Sequence, residues 1–183
     1  LKTLWSKVHT LDIETFRLIN NIRHPYFVDQ FSKGFHFGTS TGIVYLPFIL
    51  LLLFLKKKAE AGYVFLVILV TSSCINYIFK PLFHRQRPFT DLTLINLILP
   101  KPSGYSFPSS ETAVAFAVAM ACELLFPNSK KRHLAWVWAA LVGFDRVYMA
   151  HHYPSDVVAG AVVGIVISYL TIKITQMHFF SSK

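Results

Sequence analysis

The chain has 183 residues, of which 54% are apolar and 15% are charged, and its mean hydropathy is +0.48. A typical soluble domain carries roughly 25% charged residues, so this composition excludes an ordinary soluble globule, and the apolar content excludes intrinsic disorder. Lysine and arginine outnumber the acidic residues by 18 to 9, which gives a net charge of +9. In so apolar a chain this excess favours acidic lipids or a phosphate-bearing substrate as partners and argues against nucleic acid.

The first 38 residues are too polar to span a membrane. Apolar side chains recur at helical spacing after a predicted helix start at Asp12, and four phenylalanines follow, interleaved with His24, Asp29 and Lys33. This pattern predicts amphipathic helices that lie in the membrane interface. A soluble cap on a helical bundle is the alternative, and a sixth span in this segment stays open.

Five stretches beyond this segment have the length and apolarity of membrane spans. They are Thr39–Leu55, Ala61–Phe79, Ser110–Phe126, His133–Ala150 and Ser155–Ile172. The sequence therefore predicts an all-α integral membrane protein: a single domain over residues 1–183, with five transmembrane helices and the N-terminal interfacial helices. Cys74 and Cys122 lie inside apolar runs and are predicted to be small core residues rather than a disulfide.

Basic loops predict the orientation of this bundle. Lys56–Lys58 follow the first span and Lys130–Arg132 follow the third, so in a five-span arrangement both loops lie on one side. The positive-inside rule makes that side cytoplasmic. The loop 80–109 and the short turn 150–155 then lie on the outer side.

Small residues recur on two of the predicted spans. Ala113, Ala117 and Ala121 align on the third span, and Gly160 and Gly164 form a small-xxx-small step on the fifth. Such steps allow membrane helices to approach closely. We expect these two helices to pack against each other.

The first polar cluster on the outer side is basic and runs from Lys80 to Pro88. Lys80, His84 and Arg87 share one face if the segment is helical. Such residues either snorkel at the rim of a membrane helix or bind an anion.

The second cluster lies where the third span begins. Ser109 and Ser110 precede Glu111, and serines at this place are typical helix caps. The same helix end leaves free N–H groups that suit a phosphate.

The third cluster joins the fourth and fifth spans. Asp145 and Arg146 near the end of an apolar helix are costly unless they are paired or face a polar cavity. Pro154 suits a helix start, which brings Asp156 near His152. A carboxylate there can hold the imidazole in one tautomer and leave its other nitrogen free to attack. The histidines show no zinc-type spacing, and the sequence has no Walker loop or Gly-rich dinucleotide turn, so neither a metal nor a cofactor is predicted.

In order and spacing these clusters resemble the motifs of the type 2 phosphatidic acid phosphatase family. Lys80, Arg87 and Pro88 match its Lys-x6-Arg-Pro motif. The third motif, Arg-x5-His-x3-Asp, is matched at positions 146, 152 and 156.

The resemblance implies a metal-independent lipid phosphatase. His152 would attack phosphorus to form a phosphohistidine, and Asp156 would orient its imidazole. The phosphoryl oxygens would be bound by side chains and N–H groups of five residues, namely Lys80, Arg87, Arg146, Ser109 and Ser110.

The second motif departs from the family pattern. The family has Pro-Ser-Gly-His, whereas this chain reads Pro108-Ser109-Ser110-Glu111, preferred here over Pro102-Ser103-Gly104-Tyr105 because it opens a helix. The family histidine protonates the leaving group, so Glu111 becomes the candidate acid. His84 and His151 are the other candidates for the acid. Alternatively, Glu111 marks an enzyme with slow turnover or a position that has been deliberately altered. Asp145 also stands where the family usually has serine.

The resemblance implies a phosphorylated lipid substrate whose tail stays among the membrane lipids. We favour a lipid A 1-phosphatase of the bacterial inner membrane with its site on the periplasmic face. Undecaprenyl diphosphate, phosphatidylglycerol phosphate and phosphatidic acid are the other family substrates. A lipid phosphotransferase and a non-catalytic protein that binds anionic lipid remain open, and the sequence carries no prediction of oligomeric state.

Overall fold

The computed structural model describes residues 2–23, 25–93 and 95–181, so Leu1, His24, Leu94, Ser182 and Lys183 lie outside the described residues, His24 of the predicted interfacial pattern among them. The described part is helical throughout its regular structure. Its helices are α1 (Lys2–Asn20), α2 (Tyr26–Ser40), α3 (Leu46–Phe54), α4 (Lys58–Cys74), α5 (Lys80–Phe83), α6 (Pro88–Asp91), α7 (Ser110–Leu125), α8 (Arg132–Tyr148) and α9 (Pro154–Ser181).

Two predictions for the N-terminal third are wrong. The first helix is already formed from Lys2 and does not start at Asp12, whose side chain is buried against another part of the chain. The predicted span Thr39–Leu55 is broken: α2 ends at Ser40, Gly42 takes φ +74, and a 3-10 turn at Ile43–Tyr45 leads into α3. The two arms meet at 81°, because the left-handed conformation at Gly42 cannot continue a helix.

The described chain has the helices of a membrane protein. Lys58–Asp91 and Pro154–Met177 are long and apolar enough to cross a bilayer, and the bent pair α2–α3 makes a third span if it counts as one. Large apolar side chains such as Leu50, Phe65 and Val162 are exposed on these elements. Helices α7 and α8, with 16 and 17 residues, are shorter than the roughly 20 residues that usually span. The count of five spans therefore stays a prediction.

The helix that carries the first basic cluster ends inside it. A π-helical segment, Ile75–Phe79, joins α4 to α5, and α5 stops at Phe83 because His84 turns into the left-handed region at φ +50. The continuous helix that would place Lys80, His84 and Arg87 on one face is therefore not formed. Lys80 lies at the start of α5, and Arg87 lies in the extended residue before α6.

Helices α7 and α9 pack at backbone distance, as their small residues predict. A Cβ built on Gly164 would lie 2.0 Å from the backbone oxygen of Ala113, and one on Gly160 would lie 2.6 Å from that of Ser109. This contact brings the first turn of α7, with Glu111, beside the first turn of α9, with Asp156.

The turn between α8 and α9 explains the spacing of the third motif. Ala150 adopts φ +61, which ends α8 and reverses the chain. The backbone N–H groups of His151 and His152 then donate to the Arg146 carbonyl at 3.1 and 3.2 Å. A residue six positions beyond the arginine is thereby held against the end of its helix.

Candidate active site

His152 is the centre of the polar cluster. Its side chain is 1% exposed, and its two ring nitrogens face different groups. Nδ1 lies 3.6 Å from Asp156 Oδ2 and 3.5 Å from Ser106 Oγ, whereas Nε2 lies 3.4 Å from Arg87 Nη1 and 3.8 Å from Glu111 Oε2. Burial lowers the pKa of His152 below its usual value, against the opposing effect of Asp156. The neutral ring, with Nδ1–H towards Asp156 and a free Nε2, is the form of a nucleophile.

Asp156 is fully buried and held from several sides. Its Oδ2 accepts hydrogen bonds from the Ser106 hydroxyl and, at 2.9 Å, from the backbone N–H of Tyr153, the residue before α9. Its Oδ1 accepts from Arg85 Nη1 at 2.6 Å. This is the predicted pairing of the carboxylate with His152, supplemented by three donors that hold it in place.

The Arg87 guanidinium lies near Nε2 of His152 and is held in place by hydrogen bonds to backbone carbonyls. Its guanidinium donates to the carbonyl oxygens of Gly104 and His151, both at 3.0 Å, and to that of Ser103 at 3.4 Å. The side chain is 6% exposed. A phosphoryl group beside His152 Nε2 would therefore meet a guanidinium that is already oriented.

Arg146 is fully buried and connects three elements. It donates to Asp145 of its own helix and to Nδ1 of His36 on α2, and its Nη1 lies 4.0 Å from Glu111 Oε1. Its Nε has no hydrogen-bond partner among the described residues. Asp145, the departure from the family pattern, thus balances the charge of Arg146.

Glu111 lies between Arg146 and His152 of the third motif. Its carboxylate bridges from Arg146, at 4.0 Å, to His152 Nε2, at 3.8 Å, and its Oε2 lacks a hydrogen-bond partner within the described chain. One carboxylate oxygen is therefore near Arg146 and the other near His152, which places Glu111 beside both side chains.

The two predicted phosphate-binding serines have different surroundings. Ser109 is the buried N-cap of α7: its Oγ accepts from the Thr112 N–H at 3.4 Å, and its own N–H donates to the Asp156 carbonyl at 3.1 Å. Ser110 faces the open side, where its hydroxyl donates to Asn76 Oδ1 at 3.2 Å. The structure thus gives Ser109 a capping and docking role, and leaves Ser110 next to the cavity described below.

A cavity of about 460 Å³ opens beside Glu111. Lys80, Arg87, Glu111, Ser110 and His36 belong to its wall. The rest of the wall is rich in hydroxyl and amide groups, which come from Thr39, Ser40, Thr41, Ser72, Asn76 and Ser103. The cavity can hold a polar head group whose phosphate reaches Arg87 and Lys80.

The other two candidate acids lie in different surroundings. His84 is exposed and packs its ring against Tyr105 at 4.6 Å, outside the cavity wall. His151 is buried, and burial together with the surrounding cations lowers its pKa to about 3. A neutral histidine with so low a pKa is a poor proton donor at neutral pH.

Four residues of the cluster were not predicted as site residues: His36, Arg85, Ser106 and Asp12. His36 contacts Arg146 from 110 positions away, and Arg85 reaches Asp156 from 71 positions away. The sequence had singled out the segments of two of them, since Arg85 lies in the basic cluster 80–88 and Ser106 is the first residue of the second cluster. Among the described residues no group of three or more His, Cys, Asp and Glu side chains is arranged to hold a metal ion.

Comparison with known proteins places this geometry in a family. The model of the PAP2 superfamily matches residues 61–180. The undecaprenyl-diphosphatase of Sulfolobus acidocaldarius is 31% identical over 137 residues, which cover 72% of this chain and 63% of that protein, less than two thirds of its length. The lipid A 4'-phosphatase of Porphyromonas gingivalis is 26% identical over 91% of this chain and 74% of its own.

A solved structure supports the same assignment. The crystal structure of Aquifex aeolicus LpxE superposes with a TM-score of 0.75 at 34% identity and covers 89% of this chain and 95% of its own. The family match extends over well over half of the chain and includes all three motifs. The chain therefore belongs to the PAP2 superfamily, as its motif spacing predicts, and is a phosphoric ester hydrolase.

Proposed function

We propose that this protein is a metal-independent lipid phosphatase that works through a phosphohistidine at His152. The observation that carries the proposal is that the two ring nitrogens of the buried imidazole face different groups. One ring nitrogen faces the carboxylate of Asp156, and the other faces the Arg87 guanidinium at 3.4 Å. This arrangement suits a nucleophile that attacks a phosphoryl group held by cations.

In the first step, His152 Nε2 forms a bond to phosphorus while the bond from phosphorus to the lipid oxygen breaks. The electron pair goes to the departing oxygen, which takes a proton from Glu111. Lys80, Arg87 and Arg146 neutralise the phosphoryl oxygens, so the charge balance needs no metal ion. The developing imidazolium is stabilised by Asp156.

In the second step, water attacks the phosphohistidine. Glu111 takes the proton of the water, the phosphorus–nitrogen bond breaks, and its electron pair returns to His152. Inorganic phosphate leaves, and Glu111 is protonated again for the next cycle. A bound phosphate dianion repels the Glu111 carboxylate, which favours the protonated form that the first step requires.

The cavity wall favours a sugar phosphate as head group. Hydroxyl groups and one amide line part of the wall that also contains Lys80 and Arg87, and such groups match the hydroxyls of a glycan. The phosphorylated glucosamine of lipid A carries such hydroxyls, whereas a polyprenyl chain offers none. We therefore place lipid A 1-phosphate first among the substrates.

Undecaprenyl diphosphate is the second candidate, and the charge of the site favours it. Arg87 lies 3.4 Å from His152, Arg146 lies 4.0 Å from Glu111, and Lys80 shares the cavity wall with Glu111. A diphosphate carries more negative charge than a monoester and makes fuller use of them.

The membrane helices and the basic loops support a proposal for the location. We propose the bacterial inner membrane, with the motif-bearing loops on the periplasmic face and Lys56–Lys58 in the cytoplasm. The lipid tail then stays in the bilayer while the head group enters the cavity. Phosphorylated lipid is the proposed partner, within a shell of membrane lipids.

The test is phosphate release by the purified protein from a panel of lipid A 1-phosphate, undecaprenyl diphosphate, phosphatidylglycerol phosphate and phosphatidic acid. We expect the highest kcat/KM with lipid A and a loss of at least about 1000-fold in His152→Ala. A tenfold preference for undecaprenyl diphosphate would put the second candidate first. Lipid binding without release of phosphate would favour the non-catalytic reading, and phosphoryl transfer to a second lipid would favour the phosphotransferase.

A further inference from the structure

A buried chain of charges links the N-terminal helix to the proposed catalytic carboxylate. Arg85 bridges two acids: its Nη1 lies 2.6 Å from Asp156 Oδ1, and its Nη2 lies 2.7 Å from Asp12 Oδ2. The carboxylates are 0% and 4% exposed and the arginine 13%. We propose that Asp12 and Arg85 are positioning residues that orient Asp156 towards His152 and preserve its charge; the inference rests on the proposed phosphohistidine chemistry.

The bridge is tied to the start of α9 at more than one point. Arg85 Nη1 also donates to Ser155 Oγ at 2.6 Å, and its guanidinium lies over the Tyr153 ring, 4.3 Å from the centroid. These contacts fix both the direction and the depth of the side chain. Because Tyr153 and Ser155 flank the first residue of α9, Arg85 holds the turn that carries Asp156 as well as its carboxylate.

Asp12, on α1, binds the same turn at the start of α9. Its Oδ1 accepts from the backbone N–H of Ser155 at 2.9 Å, and its Oδ2 accepts from the Ser155 hydroxyl at 2.5 Å. One turn further along α1, the buried Phe16 packs edge-on against Tyr153 at 5.9 Å between centroids. Asp12, which precedes Ser155 by 143 positions, thus helps to hold the turn that leads into α9 and Asp156.

Arg85 lies between two carboxylates, and the net charge of the three groups explains why a second acid is present beside Asp156. An arginine paired with Asp156 alone would cancel the charge that must stabilise the His152 imidazolium. Asp12 on the far side of Arg85 leaves the group of three with a net charge of −1, so Arg85 orients Asp156 without neutralising its effect. The carboxylate keeps its orientation and its electrostatic role together.

Other charged groups also act on His152 and form the background of any test. Glu111 faces it from α7 and Arg87 from the residue before α6, and its backbone N–H donates to the Arg146 carbonyl at the end of α8. His36 on α2 packs its ring against that of the adjacent His151. Variants at Asp12 and Arg85 leave all of these in place.

The experiment compares the pH profiles of kcat of Asp12→Asn and Arg85→Gln with that of the wild type, on the lipid of the panel that the wild type hydrolyses fastest. Asp12→Asn removes a negative charge, so the acid limb should move to lower pH by roughly half a unit, with kcat about 5–20-fold lower. Arg85→Gln removes a positive charge and should move the limb to higher pH, with kcat at least about tenfold lower. KM should change less than about threefold in both variants.

Glu14→Gln is the matched control, because Glu14 is exposed on the same helix and the substitution makes the same charge change as Asp12→Asn. It should keep the wild-type kcat and profile, and thermal unfolding in detergent checks that each variant is folded. Shifts of opposite sign support the proposal, since a loss of structure alone would not produce them. Wild-type profiles in both variants, or the same shift in both, overturn it. His152→Ala separates the two claims: full activity there overturns the proposed chemistry itself, whatever Asp12 does.

Discussion

The contact between α7 and α9 gives the sharpest stability prediction. In Gly164→Ala the new methyl carbon would lie 2.0 Å from the Ala113 oxygen and 2.8 Å from its carbonyl carbon. Ordinary contact begins at 3.4 Å, so the helices must separate by about 1.4 Å, and both clashing atoms are backbone. Such overpacking typically costs about 1–3 kcal/mol, and we expect the upper part of that range. For a chain of this size the loss corresponds to a fall in Tm of roughly 5–10 °C.

The same separation should impair the reaction, because α7 carries Glu111 and α9 carries Asp156. A misplacement of about 1 Å can cost about 100-fold in rate. Thermal unfolding in detergent, followed by tryptophan fluorescence, and phosphate release measure the two effects. Gly62→Ala is the control, since nothing lies within 4 Å of its built Cβ on α4. If Gly164→Ala matched Gly62→Ala in Tm and activity, the helices would not approach as described.

Three further predictions concern the chemistry. Burial lowers the pKa of His152, so the acid limb of kcat/KM, corrected for substrate ionisation, should have its midpoint below 6.5; an acid-limb midpoint above 6.5 would contradict this. If Glu111 is the acid, Glu111→Gln and Glu111→Ala should lose roughly 100-fold or more in kcat while Glu111→His restores activity; equal kcat in all three would remove it from the reaction. Arg87→Lys should lower kcat/KM by roughly tenfold or more, because an ammonium cannot replace the guanidinium that donates to three carbonyls; an unchanged value would refute that role.

The site was predictable where the residues that contact each other are close together in the sequence. Arg146 and His152 meet because one turn joins them, and His152 and Asp156 meet because a helix begins between them. The approach of α7 to α9 was also predictable, since Gly160 and Gly164 leave room for a second backbone. Local sequence carries this information because few residues separate the partners.

Contacts between distant segments were not predictable. Asp12 read as a helix start, yet its carboxylate binds Ser155 and Arg85, and no periodicity marks such a pairing. The contact of His36 with Arg146 depends on how α2 packs against the end of α8. The break at Gly42 was missed because residues 39–55 are uniformly uncharged, and hydropathy does not register a single left-handed residue.

In the proposed reaction the phosphoryl group passes through His152. The direct measurement is a rapid quench in alkaline denaturant, which preserves a phosphorus–nitrogen bond, after mixing the protein with the ³²P-labelled lipid that it hydrolyses fastest. We expect label on a peptide that contains His152, formed no more slowly than phosphate is released, and no label in His152→Ala. Turnover by the wild type with no labelled protein at any time, together with undiminished turnover by His152→Ala, would contradict it.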